Sequence, residues 1–244
     1  MNKLAEKLAG AWIKKDLIDV NSEEFPKSRR DSHLIQKQFH QVLNRKTVGW
    51  KIGMVTKNLQ DGAKVDGPMI GKIIEETVLM NPLKIQYNKV PHCILECEFA
   101  LKFLEDTKMV PGVENKKDNY EAFISLELVS TRIKPDSKKD LNSGELMFLN
   151  VADNGGAGAI VIGDKIKNLD DVNLNSVEVE VDLNGKITNA WDKRAHPTEA
   201  IKCIVNEFKD NPVTFKKGDW FMTGSVIQPM KINKGDKIKV NFKN

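Results

Sequence analysis

Cysteine is scarce: three residues in 244, Cys93, Cys97 and Cys203, form no Cys-x-x-Cys pair and no zinc spacing. An odd, scattered set argues against a disulfide framework, so a reducing compartment is expected. No run approaches the roughly 18 apolar residues of a membrane span, and Met1 to Gly10 lacks the apolar stretch of a secretory signal. The cytoplasm is the expected location. Aromatics make up only 7%, and the net charge of +4 comes from lysines spread along the whole length with no basic block. That pattern argues weakly against a dedicated nucleic-acid surface, which gathers its cations on one face. No internal repeat, low-complexity tract or interdomain linker breaks the chain. The glycine-rich segment Val151-Ala152-Asp153-Asn154-Gly155-Gly156-Ala157-Gly158 lacks the Lys-Ser/Thr of a phosphate loop and the strand-then-helix setting of a dinucleotide fingerprint. With 40% hydrophobic and 30% charged residues, the remainder is an ordinary globular composition, long enough to bury a proper core.

The informative stretch is Leu95-Glu96-Cys97-Glu98-Phe99-Ala100-Leu101. Its alternation reads as a short strand with Glu96 and Glu98 on one face and Leu95, Cys97 and Phe99 on the other. The two acids then stand roughly 7 Å apart at their Cα atoms. Like charges that close raise each other's pKa unless a positive group sits between them. A divalent cation held by oxygens is the economical answer, which for carboxylates means Mg²⁺, Mn²⁺ or Ca²⁺; an acidic edge strand facing solvent is the plainer one. Glu127 stands among Leu126, Leu128 and Val129, and an acid in a buried run needs a partner.

Along the chain, helical spacing marks Leu4, Leu8, Ala11 and Trp12, then Leu34-Ile35, Phe39 and Val42-Leu43, with Asp31 or Ser32 as the expected cap of the second helix. From Thr47 the texture turns to short β-branched runs. Val48 to Gly53 reads as a strand containing Lys51, Thr56 to Gly62 as a short helix, and Asp66 to Gly71 as a turn-rich loop. Strands are expected at Gly71 to Val78, around Glu96, from Ala122 to Ile133, and at Ala159 to Gly163. A hairpin, Val177 to Leu183 and Lys186 to Asn189, turns at Asn184-Gly185. A helix over Pro197 to Phe208 and strands at Asp219 to Thr223 and Asp236 to Phe242 complete the reading. This order predicts an α+β fold on a curved mixed sheet, with a helical lead (1–46) packed on a β-rich domain (47–244) as one structural unit.

Several motifs in one order resemble the fumarylacetoacetate hydrolase superfamily, in the branch of 2-keto-4-pentenoate hydratase (2-hydroxypenta-2,4-dienoate hydratase) and 4-oxalocrotonate decarboxylase. They are Gly49-Trp50-Lys51-Ile52-Gly53 followed by Thr56-Lys57; Val65-Asp66-Gly67-Pro68 ending in Gly71; Glu96-x-Glu98; Leu126-Glu127-Leu128-Val129-x-x-Arg132-Ile133; Val151-Ala152-Asp153-Asn154; His196-Pro197; and Gly218-Asp219 leading to Thr223-Gly224. The resemblance implies a β-rich roll or distorted barrel, a homo-oligomer, and Mg²⁺ or Mn²⁺ held by Glu96, Glu98 and Glu127. It also implies Lys51 as the catalytic lysine, with Lys57, Asp153, Asn154, Thr223 and Gly224 toward the substrate. Read without the family, Asp153 and Asn154 line the pocket or brace the glycine loop. Thr223-Gly224 is equally a carboxylate-binding turn or a plain strand end. His196 reads as a helix-start residue.

The implied activity is a lyase of aromatic-compound catabolism acting on a 2-hydroxydienoate or 2-oxo acid through a metal-stabilised enolate. A hydratase comes first, a decarboxylase of 4-oxalocrotonate type second. A non-catalytic binding or assembly subunit associated with a pathway partner enzyme is third. Two positions depart from the hydratase pattern: Met69 stands where an acid is common after the loop proline, and Gly155-Gly156 where a serine follows Ala-Asp-Asn. Both changes remove polar groups that would position water.

Overall fold

The computed structural model describes residues 2–81, 84–86, 93–167, 178–189 and 197–243. The lead is helical, as its periodicity predicts. α1 (Lys3–Lys14) is capped by the Asn2 side chain, which accepts from the Leu4 and Ala5 amides, and it ends at Lys15 in a left-handed conformation. α2 (Arg29–Leu43) begins one turn earlier than its apolar stripe suggests: the cap is Ser28, accepting from the Asp31 amide, and not Asp31 or Ser32. The charged first turn, Arg29 to Asp31, hides that start from a reading based on hydrophobic spacing. Leu4, Leu8, Trp12, Ile35 and Phe39 pack into one core with Leu149 and Ala152 of a further helix, α4 (Ser143–Ala152), and with Ile74 and Ile133. The sequence reading missed α4. Its buried residues, Met147, Leu149, Val151 and Ala152, leave no clean amphipathic stripe, so its signature is the capping box of Asn142 with Glu145.

Among the described residues the main sheet has eight strands. They are β1 (Thr47–Gly53), β2 (Met69–Ile74), β3 (Val78–Met80), β4 (Ile94–Phe103), β6 (Tyr120–Val129), β7 (Ala159–Lys165), β11 (Trp220–Met222) and β12 (Met230–Lys231). The order is β2-β1-β11-β4-β6-β7-β3, with β12 on β4; β1/β11 and β3/β7 are parallel and the other pairs antiparallel. This is the curled mixed sheet of an α+β fold. A small pair joins β5 (Thr107–Lys108) to β10 (Thr214–Phe215). A third sheet runs β13-β8-β9, from β8 (Glu178–Leu183), β9 (Lys186–Asn189) and β13 (Ile238–Lys243). Asn184 and Gly185, with φ of 57° and 85°, form the expected hairpin turn. Two short helices complete the chain, α3 (Lys57–Ala63) and α5 (Pro197–Glu207).

The two faces of the main sheet have separate fates. Leu95, Cys97, Phe99 and Leu101 of β4 enter the large core with Ile201, Ile204 and Val205 of α5. The opposite face carries Ala100, Ile160, Ile162 and Met222, an apolar floor that continues directly into the acidic site. Alternation along β4 therefore builds the core and the site from the same ten residues.

One polar contact ties the lead to the sheet and is sensitive to pH. His40 Nε2 lies 2.9 Å from Asn154 Oδ1, which also accepts the Lys72 amide at 2.7 Å, while Asn154 Nδ2 donates to the Lys72 carbonyl at 2.9 Å. An oxygen that accepts one amide requires a donor from histidine, so Nε2 carries the proton. Burial, with help from the Lys72 and Arg132 charges, lowers the imidazole pKa from 6.5 to about 4. The unfolded chain then binds a proton that the folded one refuses between these values. His40 thus stabilises the fold fully above pH 6.5, and the contribution fades as pH falls toward 4. At most about 3 kcal/mol is involved. The drop in urea midpoint from pH 7 to pH 4.5 is expected to be smaller in His40→Gln than in the unmodified protein; equal drops would rule this out.

Candidate metal centre and active site

β4 and β6 pair antiparallel with Glu96 opposite Glu127 and Glu98 opposite Ser125. Two acids two residues apart on one strand, and a third across the ladder, therefore share one face. One ligand oxygen from each of Glu96, Glu98 and Glu127 lies within 4.8 Å of the others. For bonds of about 2.1 Å, neighbouring oxygens around an octahedral Mg²⁺ are about 3.0 Å apart and opposed ones about 4.2 Å, so the carboxylates would draw together by up to about 2 Å to share one ion. Glu98 and Glu127 are fully buried, with 0% and 1% exposure, whereas Glu96 is half-buried. Among the described residues, Glu98 Oε1 and Glu127 Oε2 have no hydrogen-bond partner. Buried carboxylate oxygens without donors fit a hard dication.

Lys51 completes the cluster from the far side. It is 1% exposed and its Nζ stands 3.3 Å from Glu127 Oε1. β1 and β6 are separated by β11 and β4, roughly 14 Å on a flat sheet at about 4.8 Å per strand. The contact exists because the sheet curls and its concave face converges. Burial would lower the Lys51 ammonium, but the Glu127, Glu96 and Glu98 charges outweigh it and hold the pKa above its ordinary value. Burial also raises both Glu98 and Glu127: at Glu98 the Glu127 and Glu96 charges reinforce it, while at Glu127 the Lys51 charge opposes it and Glu96 adds to it. With no dication, protons must relieve the repulsion; a dication displaces them.

The remaining expected site residues divide sharply. Gly224 reaches the cluster and Thr223 precedes it in the chain, but their polar groups are taken: Gly224 N–H donates to Glu98 Oε2 at 3.0 Å, and the Thr223 hydroxyl donates to the Phe99 carbonyl at 3.1 Å. The turn holds a metal ligand instead of presenting free donors. Gly224 has φ of 91°, which glycine alone adopts readily. Lys57 is not brought to the site; it is exposed at the start of α3 and pairs with Asp61 one turn on, at 2.6 Å. Asp153 is buried under Arg132, with Nε to Oδ1 at 2.5 Å, the Arg132 amide to Oδ2 at 2.9 Å and the Thr131 hydroxyl to Oδ2 at 2.9 Å. It braces the loop, and breaking such a buried pair costs about 3–5 kcal/mol. Asn154 is likewise committed to Lys72 and His40. Arg132 lies in a motif the sequence reading quoted, yet it was given no role; an arginine and an aspartate, each beside an apolar run, were the available signal. His196 lies outside the described residues.

The two departures also find their places. Met69 pairs with Gly53 and Gly71 with Lys51, which puts the Met69 thioether on the lysine's face of the β1–β2 ladder. A Cβ on Gly155 would meet the Ile70 carbonyl at 2.9 Å, and one on Gly156 the Val129 side chain at 3.0 Å. Gly155 lets the loop lie on β2 and Gly156 lets it lie against the end of β6, a packing demand that a side chain at either position would break.

No protein-family model matches the chain. It is 22% identical over 258 residues to 2-oxo-hept-4-ene-1,7-dioate hydratase of Escherichia coli, covering 99% of this chain and 93% of that one. Over 247 residues it is 22% identical to 4-oxalocrotonate decarboxylase of Pseudomonas putida, covering 98% and 91%. Its structure superposes on 4-oxalocrotonate decarboxylase from Pseudomonas putida G7, complexed with magnesium and adipate, with a TM-score of 0.83, 19% identity and coverage of 98% and 92%. A Yersinia pestis CO92 protein assigned to the fumarylacetoacetate hydrolase family superposes with a TM-score of 0.53, at 16% identity and coverage of 80% and 88%. The chain has the fumarylacetoacetate hydrolase fold. The motif resemblance thus extends to the whole architecture, and relatives of both the hydratase and the decarboxylase kind align over nearly its full length.

A carboxylate ligand carries a charge that an amide lacks. Glu98→Gln is expected to weaken Mn²⁺ or Mg²⁺ binding at least about tenfold by calorimetric titration, and to shrink the metal-induced rise in Tm. Undiminished affinity in this variant would remove Glu98 from the ligand set.

Proposed function

We propose that this chain is a divalent-metal-dependent lyase acting on a 2-oxo acid of the 2-hydroxydienoate type, as a hydratase in the first reading. The observation that carries it is the convergence of Glu96, Glu98 and Glu127 with a buried Lys51 on one concave face. Nearly full-length similarity to hydratases and decarboxylases of such acids supports the reaction class. Magnesium and calcium in two solved decarboxylase structures of the same fold support a hard dication, Mg²⁺ or Mn²⁺ here.

When bound, the dication supplies Lewis-acid charge toward the carboxylate and 2-oxo oxygens of the substrate. Glu96, Glu98 and Glu127 would hold it, and the Gly224 amide donates to Glu98 and fixes its orientation. Lys51 does the proton work. Its ammonium, tethered at Glu127, offsets negative charge that develops on the substrate oxygen and delivers a proton to the substrate carbon. The apolar floor of Ala100, Ile160, Ile162 and Met222 keeps bulk water from these charges and so strengthens each interaction. In this reading the enzyme is cytoplasmic and assembles as a homo-oligomer, with association to a pathway partner enzyme. Among the described residues, no helix is long and apolar enough to cross a membrane.

One observation favours the second reading, a decarboxylase of 4-oxalocrotonate type. Beside Lys51 the β1–β2 ladder offers Met69, Gly53 and Gly71, none of which activates water. Absorbance of a dienol incubated with protein and Mg²⁺ separates the readings. Loss to a hydroxy-keto acid supports hydration; appearance of a dienol from a dicarboxylate supports decarboxylation. No change in either, with metal bound, points to a non-catalytic subunit.

Lys51→Met is expected to lower turnover at least about a hundredfold while the protein stays folded, because Glu127 takes up a proton in place of its lost partner. A variant retaining the normal rate per folded molecule would remove Lys51 from the chemistry. For the departure at Met69, deuterium from D₂O is expected to enter C3 or C5 of a 2-oxo acid faster than water adds, with Met69→Asp raising hydration relative to exchange. Hydration that matches exchange in the unmodified protein would show that water is positioned by other groups.

A further inference from the structure

β2 is an edge of the main sheet and pairs with β1 on one side only. Backbone groups on its free side belong to alternate residues, Pro68, Ile70 and Lys72, as the two-residue period of a strand requires. Each is met by a side chain. Arg29 Nη2 donates to the Pro68 carbonyl. Gln36 Nε2 donates to the Ile70 carbonyl at 2.9 Å and to the Val151 carbonyl at 2.7 Å. Asn154 closes on both backbone groups of Lys72, at 2.7 and 2.9 Å. Arg29 and Gln36 stand two turns apart on α2, a rise of roughly 10.5 Å. The strand advances roughly 7 Å between Pro68 and Ile70, the two carbonyls these side chains reach. A helix thus runs beside the free edge, and its side chains with Asn154 replace the missing strand.

The anchors are themselves fixed. Arg29 Nε pairs with Glu207 Oε1 at 2.7 Å, and His33 Nε2 lies 2.6 Å from the same oxygen. Gln36 and Asn154 are 3% and 0% exposed. Between the clamped residues Ile70 and Lys72 sits Gly71, the cross-strand partner of Lys51. A Cβ there would meet the Asn154 carbonyl oxygen at 2.1 Å, so loop and strand are in full contact.

We propose that Arg29, Gln36 and Asn154 are positioning residues that hold β2, and through the Lys51–Gly71 pairing hold Lys51, in reach of the carboxylate cluster. The proposal rests on reading that cluster with Lys51 as the reacting centre. A flexible lysine meets Glu127 across two intervening strands only from a backbone held still, and a displacement of about 1 Å costs on the order of a hundredfold in rate. The helical lead therefore belongs to the catalytic apparatus although none of its residues touches the site.

Gln36→Met keeps length and removes the donor; Asn154→Asp keeps the acceptor for the Lys72 amide and loses the donor to its carbonyl. Lys46→Ala, which breaks an exposed pair with Glu75, is the control. Both test variants are expected to lose about 10- to 100-fold in kcat on a 2-hydroxydienoate, with KM and Mg²⁺ affinity within about twofold. Amide exchange at Lys51 and Ile52 should quicken at least tenfold while that of β4 stays unchanged. Unchanged kcat per folded molecule with unchanged β1 exchange overturns the proposal, as does a parallel fall in metal affinity, which marks general loosening. If the unmodified protein turns over no such acid, the functional reading fails, and β1 exchange alone still decides the positioning. Arg29→Lys, which keeps charge for Glu207 and loses the fork to Pro68, gives the same readouts should either variant not fold.

Discussion

Three carboxylates and one ammonium face one another in a place with almost no water. Glu98, Glu127 and Lys51 are each at most 1% exposed, so their charges act at short range and with little screening. Three negative groups against one positive leave two charges unmatched, the charge of one divalent ion. Burial raises the pKa of Glu98 and of Glu127, with the Glu127 and Glu96 charges adding to the rise at Glu98 and the Lys51 charge opposing it at Glu127. The register of β4 on β6, the amide of Gly224 on Glu98 and the reach of Lys51 all serve that one electrostatic demand.

Around the cluster, most polar residues near the chain's motifs already have structural partners. Arg132 is bound to Asp153, Asn154 to the edge of β2, and Thr223 to β4. Their bonds are spent on the fold, and in the proposed reading Lys51, paired with Glu127, is the group left to act on a substrate. With so few reacting groups, the balance between adding water and losing carbon dioxide rests on small changes of lining, of which Met69 is one. Relatives of similar identity carrying the hydratase and the decarboxylase names agree with a scaffold that supports both outcomes.

Much was legible before any coordinates. Alternation in Leu95 to Leu101 placed Glu96 and Glu98 on one face, because a strand's period of two is local and needs no partner to be read. Glu127 betrayed itself as an acid in an apolar run, Asn184-Gly185 as a hairpin turn, and the helical lead by its spacing. Reading failed where charge or all-round burial hid a local signal. Ser28 was passed over as a cap because the first turn of α2 is charged, and α4 because its apolar residues form no stripe. Lys57 sits in a matching motif yet points outward to Asp61.

Sequence alone determined most of the elements, α4 apart, together with the acidic face and the kind of ion that face would hold, since residue type and spacing settle these within one or two strands. Tertiary structure decided which polar residues act and which brace. Lys51 meets Glu127 only because the sheet curls across two intervening strands, and Asp153 and Asn154 were assigned their bracing role by Arg132, His40 and the free edge of β2. Those contacts join residues up to 114 positions apart, and no local pattern encodes a distance closed by folding.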